Sequence, residues 1–205
     1  MNTRIGFGWD SHAFKPGVPL RIGGLTLQHP EGLAGHSDGD VLLHAITDAL
    51  LGAVAAGDIG SFFPPGDPRW KDADSAIFLN LALEELQHAG YRIVNIDTTL
   101  ILAAPKIFPV AGEMRARVAD LLGVEIDQVS IKAKTPEGLN LDHVAQCHAI
   151  ALVERVMEPE ELRSMSAVIE TQRQLEDVVE DLLSSVHGVP KKRVEVPAYD
   201  TEDIT

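Results

Sequence analysis

The chain has 205 residues, of which 45% are apolar, and a formal net charge of −14 at pH 7. The apolar fraction can supply a core and excludes general disorder, while the negative charge argues against a nucleic-acid surface built on phosphate neutralisation. The single cysteine, Cys147, excludes an intrachain disulfide and a cysteine-rich zinc site. The sequence shows neither a signal peptide nor an apolar run of about 18 residues, so we expect a cytoplasmic protein without membrane contact.

The N-terminal region predicts a strand followed by a hairpin. Residues 3 to 14, TRIGFGWDSHAF, indicate a strand that runs into a loop loosened by glycines. Residues 19 to 28 indicate a short hairpin with Gly23 and Gly24 at its turn. The chain therefore begins with β-structure.

A long helix is predicted over residues 38 to 56. Apolar residues recur there at helical spacing, Ser37 or Asp38 could cap its start, and Gly57 could end it. The proline- and glycine-rich segment from 58 to 75 indicates a long loop without regular structure. Loops of this length in compact domains are usually functional or disordered.

The next part of the chain alternates between helical and strand patterns. The segments are a helix over 75–89, a strand over 91–105, a helix over 110–122, a strand over 127–138 and an apolar strand or helix over 143–157. This alternation predicts an α/β-type domain over residues 1–157.

The composition changes after Met157. Residues 159 to 186 are polar and led by proline, with apolar residues at helical spacing, which predicts a helix. The charged tail after it has few apolar residues. We therefore expect a second region over 158–205, a helical extension with a mobile tail, and it contains no candidate metal ligand.

A metal site is suggested by Asp10 and His12, which lie two positions apart. On an extended segment such residues project to the same side, and His44 on the first helix could complete a set of two imidazoles and one carboxylate. This set suits a catalytic Zn²⁺ with an open fourth position, and Asp48, one turn after His44, could orient that histidine. From spacing alone, a core histidine and a simple helix cap over 36–40 remain alternatives.

Five sequence blocks together resemble one enzyme family. They are RIGFGWDSHAF, GHSDGDVLLHAITDALLGAVAAGDIGSFFP, DPRWKDADS, APK and KAKTPEGL. In this order and spacing they resemble the 2-C-methyl-D-erythritol 2,4-cyclodiphosphate synthase family of the non-mevalonate isoprenoid pathway, over nearly all of residues 3–157. The resemblance implies conversion of 4-diphosphocytidyl-2-C-methyl-D-erythritol 2-phosphate to the cyclic diphosphate, with release of CMP.

The resemblance also implies two kinds of metal ion. Asp10, His12 and His44 match the family's zinc ligands. Glu137 matches the residue that contacts a second divalent ion, Mg²⁺ or Mn²⁺, between the α- and β-phosphates. The metals and the folding of the substrate onto itself then carry the reaction, so no side-chain nucleophile is expected.

Catalytic and substrate-binding positions are carried over in the same way. Thr135 matches a threonine that stabilises the transition state, and His36 with Ser37 matches the pair that contacts the 2-phosphate. The other implied substrate-binding residues are Asp10, Ser11, His12, Asp58, Ile59, Gly60, Phe63, Pro64, Pro65, Gly66, Asp67, Leu102, Ala103, Ala104, Pro105, Lys106, Ile107, Phe108, Lys134, Pro136 and Glu137. Among them, 58–60 match the segment that binds the erythritol hydroxyls, 63–67 a mobile covering stretch, and 102–108 the cytosine pocket.

The family's protomer is a mixed β-sheet with helices on one face, an α+β arrangement. Its protomers form a homotrimer with the sheets around a central axis, and each active site is shared by neighbouring chains. The metal and erythritol groups come from one chain and the cytidine pocket from the next. The resemblance therefore implies a homotrimer and a small cytidine diphosphate substrate.

The sequence departs from the family after the T-x-E turn. Many members carry G-F-x-G-R-G-E-G there, whereas this chain reads GLNLDHVAQCHA and lacks the arginine. That arginine lines the trimer cavity and is linked to binding of isoprenoid diphosphates, so we do not expect such regulation here, although Trp9 matches the cavity's aromatic residue. No cytidylyltransferase domain precedes the first strand in this sequence, so we expect one activity.

Two other functions remain to be distinguished. A non-catalytic protein could hold a ligand in the metal pocket or the trimer cavity without turnover. A zinc phosphohydrolase could use the open metal position to activate water, with Asp48 or Asp58 as the general base. The products formed from the diphosphocytidyl substrate separate these two functions from the synthase.

Overall fold

The computed structural model describes residues 2–64 and 66–156, together with residues 168, 171 and 175. The chain divides into two compact units, residues 1–162 and 163–205. The predicted boundary at 157 lies outside the described residues, as does most of the predicted helix over 159–186, of which Val168, Thr171 and Leu175 are helical. No helix in the described ranges is long and apolar enough to cross a membrane.

The first unit is built on a five-stranded mixed sheet. Its strands, with the two of a separate hairpin, are β1 (Thr3–Pro16), β2 (Leu20–Ile22), β3 (Leu25–Leu27), β4 (Glu31–Leu33), β5 (Tyr91–Ile101), β6 (Val129–Lys134) and β7 (Val144–Arg155). The sheet order is β4-β1-β7-β5-β6, and β2 pairs with β3. Only the β5–β6 pair is parallel within these residues. The predicted hairpin is therefore confirmed, and the segment predicted as a strand or a helix over 143–157 contains the strand β7.

Four α-helices accompany the sheet within residues 2–156. They are α1 (Val41–Ala53), α2 (Ile59–Phe62), α3 (Ser75–His88) and α4 (Ala111–Leu122). Short 3₁₀ turns lie at Pro68–Trp70, Phe108–Val110 and Ile126–Gln128. The alternation of helix and strand that the sequence predicts is confirmed for this unit.

Helix α1 lies directly on β1 because two glycines leave room for its backbone. A Cβ atom at Gly6 would come within 1.7 Å of the carbonyl oxygen of Ala49, and one at Gly8 within 1.9 Å of that of Ala45. No side chain fits such spaces, so the glycines set the distance between strand and helix. This close approach places the start of α1 beside the middle of β1.

The opposite face of β1 is apolar and uncovered within the described residues. Ile5, Phe7 and Trp9 are 69%, 60% and 48% exposed, and Ile150 on neighbouring β7 is 45% exposed. Side chains on a strand alternate between faces, so these residues share the face away from α1. A contiguous apolar patch of this kind marks an interaction surface.

Three predictions for the first half of the chain are wrong in detail. Strand β1 continues to Pro16 without a loop, because its end pairs with β4. Helix α1 begins at Val41 and is capped by Asp40, whose carboxylate accepts hydrogen bonds from the second and third helical N–H groups. It ends at Ala53, before Gly57. Asp40 also accepts hydrogen bonds from two backbone N–H groups of the hairpin turn. These bonds explain why Asp40 caps the helix in place of Ser37 or Asp38.

The segment from 58 to 75 also differs from the predicted irregular loop. It contains α2 and one 3₁₀ turn, each started by an aspartate that caps it. Asp58 accepts from Ser61 N, and Asp67 accepts from Arg69 N. Local capping therefore produces short helical turns despite the prolines and glycines.

Candidate functional site

Three side chains converge where α1 meets β1. Asp10 and His12 project from β1 toward α1, and His44 lies in the first turn of that helix. The Oδ2 atom of Asp10 is 2.8 Å from His12 Nε2 and 2.9 Å from His44 Nδ1, and the two nitrogens are 3.1 Å apart. The structure therefore brings together the three residues for which the sequence predicts a shared metal ion.

The donor atoms suit a tetrahedral zinc ion. Zinc bonds to nitrogen and oxygen ligands of about 2.0–2.1 Å place neighbouring tetrahedral ligand atoms roughly 3.3 Å apart. The three observed separations are slightly shorter, as expected for groups that hydrogen-bond directly to one another. A small outward shift would accommodate the ion.

The electrostatics of the three residues favour a bound cation. Burial alone would raise the pKa of the Asp10 carboxyl, but hydrogen bonds from His12 and His44 outweigh it and hold that pKa well below its usual range. Burial alone would lower the pKa of His12, but the hydrogen bond to Asp10 outweighs burial and raises it. The cluster thus pairs a carboxylate with a proton that a metal ion can displace.

His44 is held from its other side by two serines. Its Nε2 atom lies 2.8 Å from Ser75 Oγ and 3.1 Å from Ser37 Oγ. The suggestion that Asp48 orients His44 is wrong, because both ring nitrogens of His44 have other partners and the Asp48 carboxylate accepts from the backbone of Ile59 at 2.8 Å. Ser75, which follows the cap residue of α3, carries no signal for this role in the sequence.

A cationic cavity of about 420 Å³ adjoins the metal cluster. His36 and Ser37 line it together with Lys15, Arg21 and Lys71. Neither lysine has an ion pair among the described residues, whereas Arg21 lies within 4 Å of two aspartates, Asp38 at 3.7 Å and Asp74 at 3.6 Å. Asp38 and Asp72 line the same cavity, so its charged side chains leave only a small excess of positive charge, in a protein whose net charge is strongly negative. Spacing in the sequence gave no signal for Lys15 and Arg21.

Phe63, at the start of the stretch predicted to cover the substrate, is linked to the His44 ring through aromatic contacts. The ring of Phe63 is 4.4 Å from that of Phe78 and 4.8 Å from that of Trp70. Phe78 in turn lies 5.9 Å from the His44 ring. Pro65, in the middle of the predicted covering stretch, lies outside the described residues. Phe63 therefore connects this segment to the side of α1 that carries the metal ligand.

Two carboxylates next to this segment are engaged in hydrogen bonds. Asp58 caps α2, and the hydrogen bonds from Ser61 lower the pKa of its carboxyl. Burial raises the pKa of the Asp48 carboxyl, which accepts from Ile59 N. Both carboxylates therefore order the start of α2.

Most of the predicted residues from 102–108 and 134–137 form a second cluster. A cavity of about 290 Å³ is lined by Leu102, Ala103, Pro105, Lys106, Ile107, Phe108, Ala133, Lys134, Thr135 and Glu137. At its edge Thr135 Oγ1 donates a hydrogen bond of 2.5 Å to Glu137 Oε1, and both residues are exposed. The segments 102–108 and 134–137 thus meet, because parallel pairing places the ends of β5 and β6 together.

Within one chain the two clusters lie on different strands. The sheet register aligns Asp10 with Cys147, Cys147 with Leu100, and Leu100 with Ala133. Three interstrand spacings of about 4.8 Å therefore separate Asp10 from Ala133, roughly 14 Å in all. A single chain therefore does not bring Thr135 and Glu137 to the metal ligands.

The comparisons with known proteins agree with this geometry. The model of the YgbB family matches residues 3–154. A 2-C-methyl-D-erythritol 2,4-cyclodiphosphate synthase of Koribacter versatilis is 61% identical over 152 residues, which cover 74% of this chain and 98% of that protein. A protein of the same name from Moorella thermoacetica is 54% identical over 136 residues, 66% of this chain and 83% of that protein.

Solved structures of synthases with this name share the fold of this chain. A 2C-methyl-D-erythritol-2,4-cyclodiphosphate synthase described as the CDP-bound form has a TM-score of 0.70 and 38% identity, covering 74% of this chain and 100% of that chain. The matched part corresponds in extent to the unit that carries both clusters. The chain belongs to the YgbB family of 2-C-methyl-D-erythritol 2,4-cyclodiphosphate synthases.

Proposed function

We propose that this protein converts 4-diphosphocytidyl-2-C-methyl-D-erythritol 2-phosphate to 2-C-methyl-D-erythritol 2,4-cyclodiphosphate and CMP. It is then a phosphorus–oxygen lyase of non-mevalonate isoprenoid precursor synthesis, acting in the cytoplasm. The observation that carries the proposal is the convergence of Asp10, His12 and His44 beside a cationic cavity. The 61% identity to a synthase of this name supports the same activity.

The metal half of the site binds the phosphate end of the substrate. Asp10, His12 and His44 hold Zn²⁺, which when bound polarises a phosphate as a Lewis acid. His36 and Ser37 line the adjoining cavity and contact the 2-phosphate, and the lysines of that cavity supply positive charge for it. This half therefore places the nucleophilic phosphate beside the reacting diphosphate.

The second half binds the nucleotide and the second cation. The segment 102–108 receives the cytosine, and Lys106 and Lys134 lie on the same cavity. Glu137 contacts Mg²⁺ or Mn²⁺, since one protein carboxylate with substrate phosphates is a usual site for Mg²⁺. The Thr135 hydroxyl donates to Glu137 in this structure. When Glu137 binds the cation, that hydroxyl would instead donate to the phosphate in the transition state.

The chemistry needs no nucleophile from the protein. The 2-phosphate oxygen attacks the β-phosphorus, and the bond from that phosphorus to the CMP oxygen breaks. The only cysteine, Cys147, is fully buried, and burial raises the pKa of its thiol well above its usual range. Catalysis therefore rests on positioning and charge neutralisation.

We propose a homotrimer with active sites between protomers. The exposed apolar face around Phe7 and Trp9 supplies a surface that assembly can bury. The separation of the two clusters by about three strand spacings supports a site completed by a neighbouring chain. In that arrangement the metal half of one protomer faces the nucleotide half of the next.

The test is incubation of the protein with the diphosphocytidyl substrate and Mg²⁺, followed by phosphorus NMR. A cyclic diphosphate together with CMP is the expected result. Linear phosphate products would identify a zinc phosphohydrolase, and binding without turnover would identify a ligand-holding protein. Omitting Mg²⁺ while zinc stays bound should abolish turnover and leave the zinc content unchanged.

A further inference from the structure

A buried hydrogen-bonded chain lies behind the metal ligand His44. Ser75, the first residue of α3, is fully buried, and its Oγ atom lies 2.8 Å from His44 Nε2. The same Oγ atom lies 2.5 Å from Asp38 Oδ1. Ser75 therefore links the Asp38 carboxylate to Nε2, the ring nitrogen of His44 that points away from Asp10.

The direction of the hydrogen bonds in this chain follows from its end group. A carboxylate only accepts, so the Ser75 hydroxyl donates its single proton to Asp38. The Ser75 oxygen can then only accept from His44, which requires the proton of that ring on Nε2. Nδ1 is thereby the ring nitrogen that would bind a metal ion, in place of its present contact with Asp10.

The Asp38 carboxylate is itself fixed by three groups. It accepts from the backbone N–H groups of Asp40 and Ser75, each at 3.2 Å. The guanidinium of Arg21 lies 3.7 Å from its other oxygen. The orientation of the Ser75 hydroxyl therefore rests on the hairpin, the start of α1 and the start of α3 together.

We propose that Ser75 and Asp38 are positioning residues that hold His44 in its Nδ1-ligating tautomer and thereby set the affinity of the metal site. This inference rests on the proposed zinc site. Partners of this kind orient metal-bound histidines and raise their basicity as ligands. Ser75 is the permanent partner, because Ser37, the second neighbour of Nε2, lines the cavity and is free to turn to a bound phosphate.

The role of the Ser75 side chain is separable from the fold of α3. The cap of that helix is Asp74, which accepts from Ala76 N. The bond from Ser75 N to Asp38 involves only the backbone. Ser75→Ala should therefore keep the helix and remove only the contact with the imidazole.

The experiment measures zinc affinity by competition with a chromophoric chelator. The proteins are wild type, Ser75→Ala, Asp38→Asn and the control Thr47→Val. Thr47 is a fully buried hydroxyl residue of α1 that donates to Leu43 O at 2.8 Å and does not contact the metal ligands. We expect Ser75→Ala to weaken zinc binding by about 10–100-fold, Asp38→Asn to weaken it less, and Thr47→Val to leave it unchanged.

A second measurement follows the imidazole itself. In the zinc-loaded protein, the Nε2–H proton of His44 should exchange slowly with solvent by NMR in wild type and in Thr47→Val. It should exchange faster in Ser75→Ala, because its buried acceptor is gone. A purely structural role of Ser75 would not change this exchange selectively.

Each result either supports or overturns the proposed role of Ser75. Wild-type affinity and an unchanged His44 proton in Ser75→Ala would overturn it, and so would an equal loss of affinity in Thr47→Val. If Ser75→Ala does not fold, Asp38→Asn decides in the same way. Failure of the wild-type protein to bind zinc would overturn the metal site and the proposed function together, whereas the other results concern Ser75 alone.

Discussion

The two halves of the candidate site differ in how complete they are within one chain. In the metal half, His44 is buried, and each donor atom already lies within 3.1 Å of another. In the nucleotide half, Thr135 and Glu137 are exposed and bond to each other, and Phe108 is 91% exposed. The metal half is thus preorganised by packing, and the nucleotide half is open.

The difference follows from the elements that build each half. The metal half lies between β1 and α1, which the two glycines bring into direct contact, so its geometry is set when the core forms. The nucleotide half lies at the ends of β5 and β6, at one edge of the sheet. We therefore expect a substitution in the metal half to impair the metal site of the chain that carries it. A substitution in the nucleotide half should impair the active site that this chain completes for its neighbour.

The largest effect is expected from removing a metal ligand. His44→Ala should leave the fold intact but remove most bound zinc and lower turnover to below about a tenth of wild type, since a three-ligand catalytic site depends on each ligand. Zinc content and turnover are measured side by side. His88→Ala, at an exposed histidine in the last turn of α3, is the matched control and should change neither. Turnover above that level would argue strongly against His44 as a ligand.

A charge on the exposed apolar face of β1 should disrupt the nucleotide half of the site, which depends on assembly, and leave the metal half intact. Phe7→Asp is expected to prevent the trimer and abolish most turnover while zinc binding persists, because a buried charge is costly and the metal half belongs to one chain. Light scattering and zinc content report the two effects. Ile77→Asp, at an exposed apolar residue of α3, is the control for the change of charge. An active monomer would exclude the proposed assembly.

Mixing two inactive variants tests the sharing of the site directly. His44→Ala damages the metal half and Thr135→Ala the nucleotide half, so each homotrimer has only damaged sites. In random trimers assembled from equal amounts of the two chains, about one active site in four should be intact. Turnover of the unfolded and reassembled mixture should therefore rise toward that fraction of wild type. No recovery would indicate that both halves serve the same site from one chain.

Local patterns predicted most of the fold and the grouping of Asp10, His12 and His44. Residues two apart on a strand share a face, so the relation of Asp10 to His12 could be read directly, and the apolar spacing around His44 indicated its helix. The role of Ser75 could not be predicted in this way. It lies 31 positions after His44, and only the packing of α3 brings it to the imidazole.

The cap residue of α1 also could not be predicted from the local sequence. Ser37, Asp38 and Asp40 all precede α1, and each is a residue type that can cap a helix. Asp40 is selected because its carboxylate also accepts from Gly23 and Gly24 in the hairpin turn, at 2.8 and 2.7 Å. This tertiary contact has no local signature, whereas the helix itself does.

The smallest effect on catalysis is expected from deleting residues 159–205. Residues 1–156 contain the core and every proposed ligand, so zinc content should be unchanged and turnover should stay within about a factor of two. Thermal unfolding is expected at a lower temperature, or the trimer should loosen. Val168 and Leu175 are helical but 64% and 60% exposed, and we expect such apolar residues to cover an outer surface of an assembled protomer. Scanning calorimetry and light scattering at several protein concentrations measure both properties. A truncated protein that remains trimeric and equally stable but loses turnover would instead assign the extension to the active site.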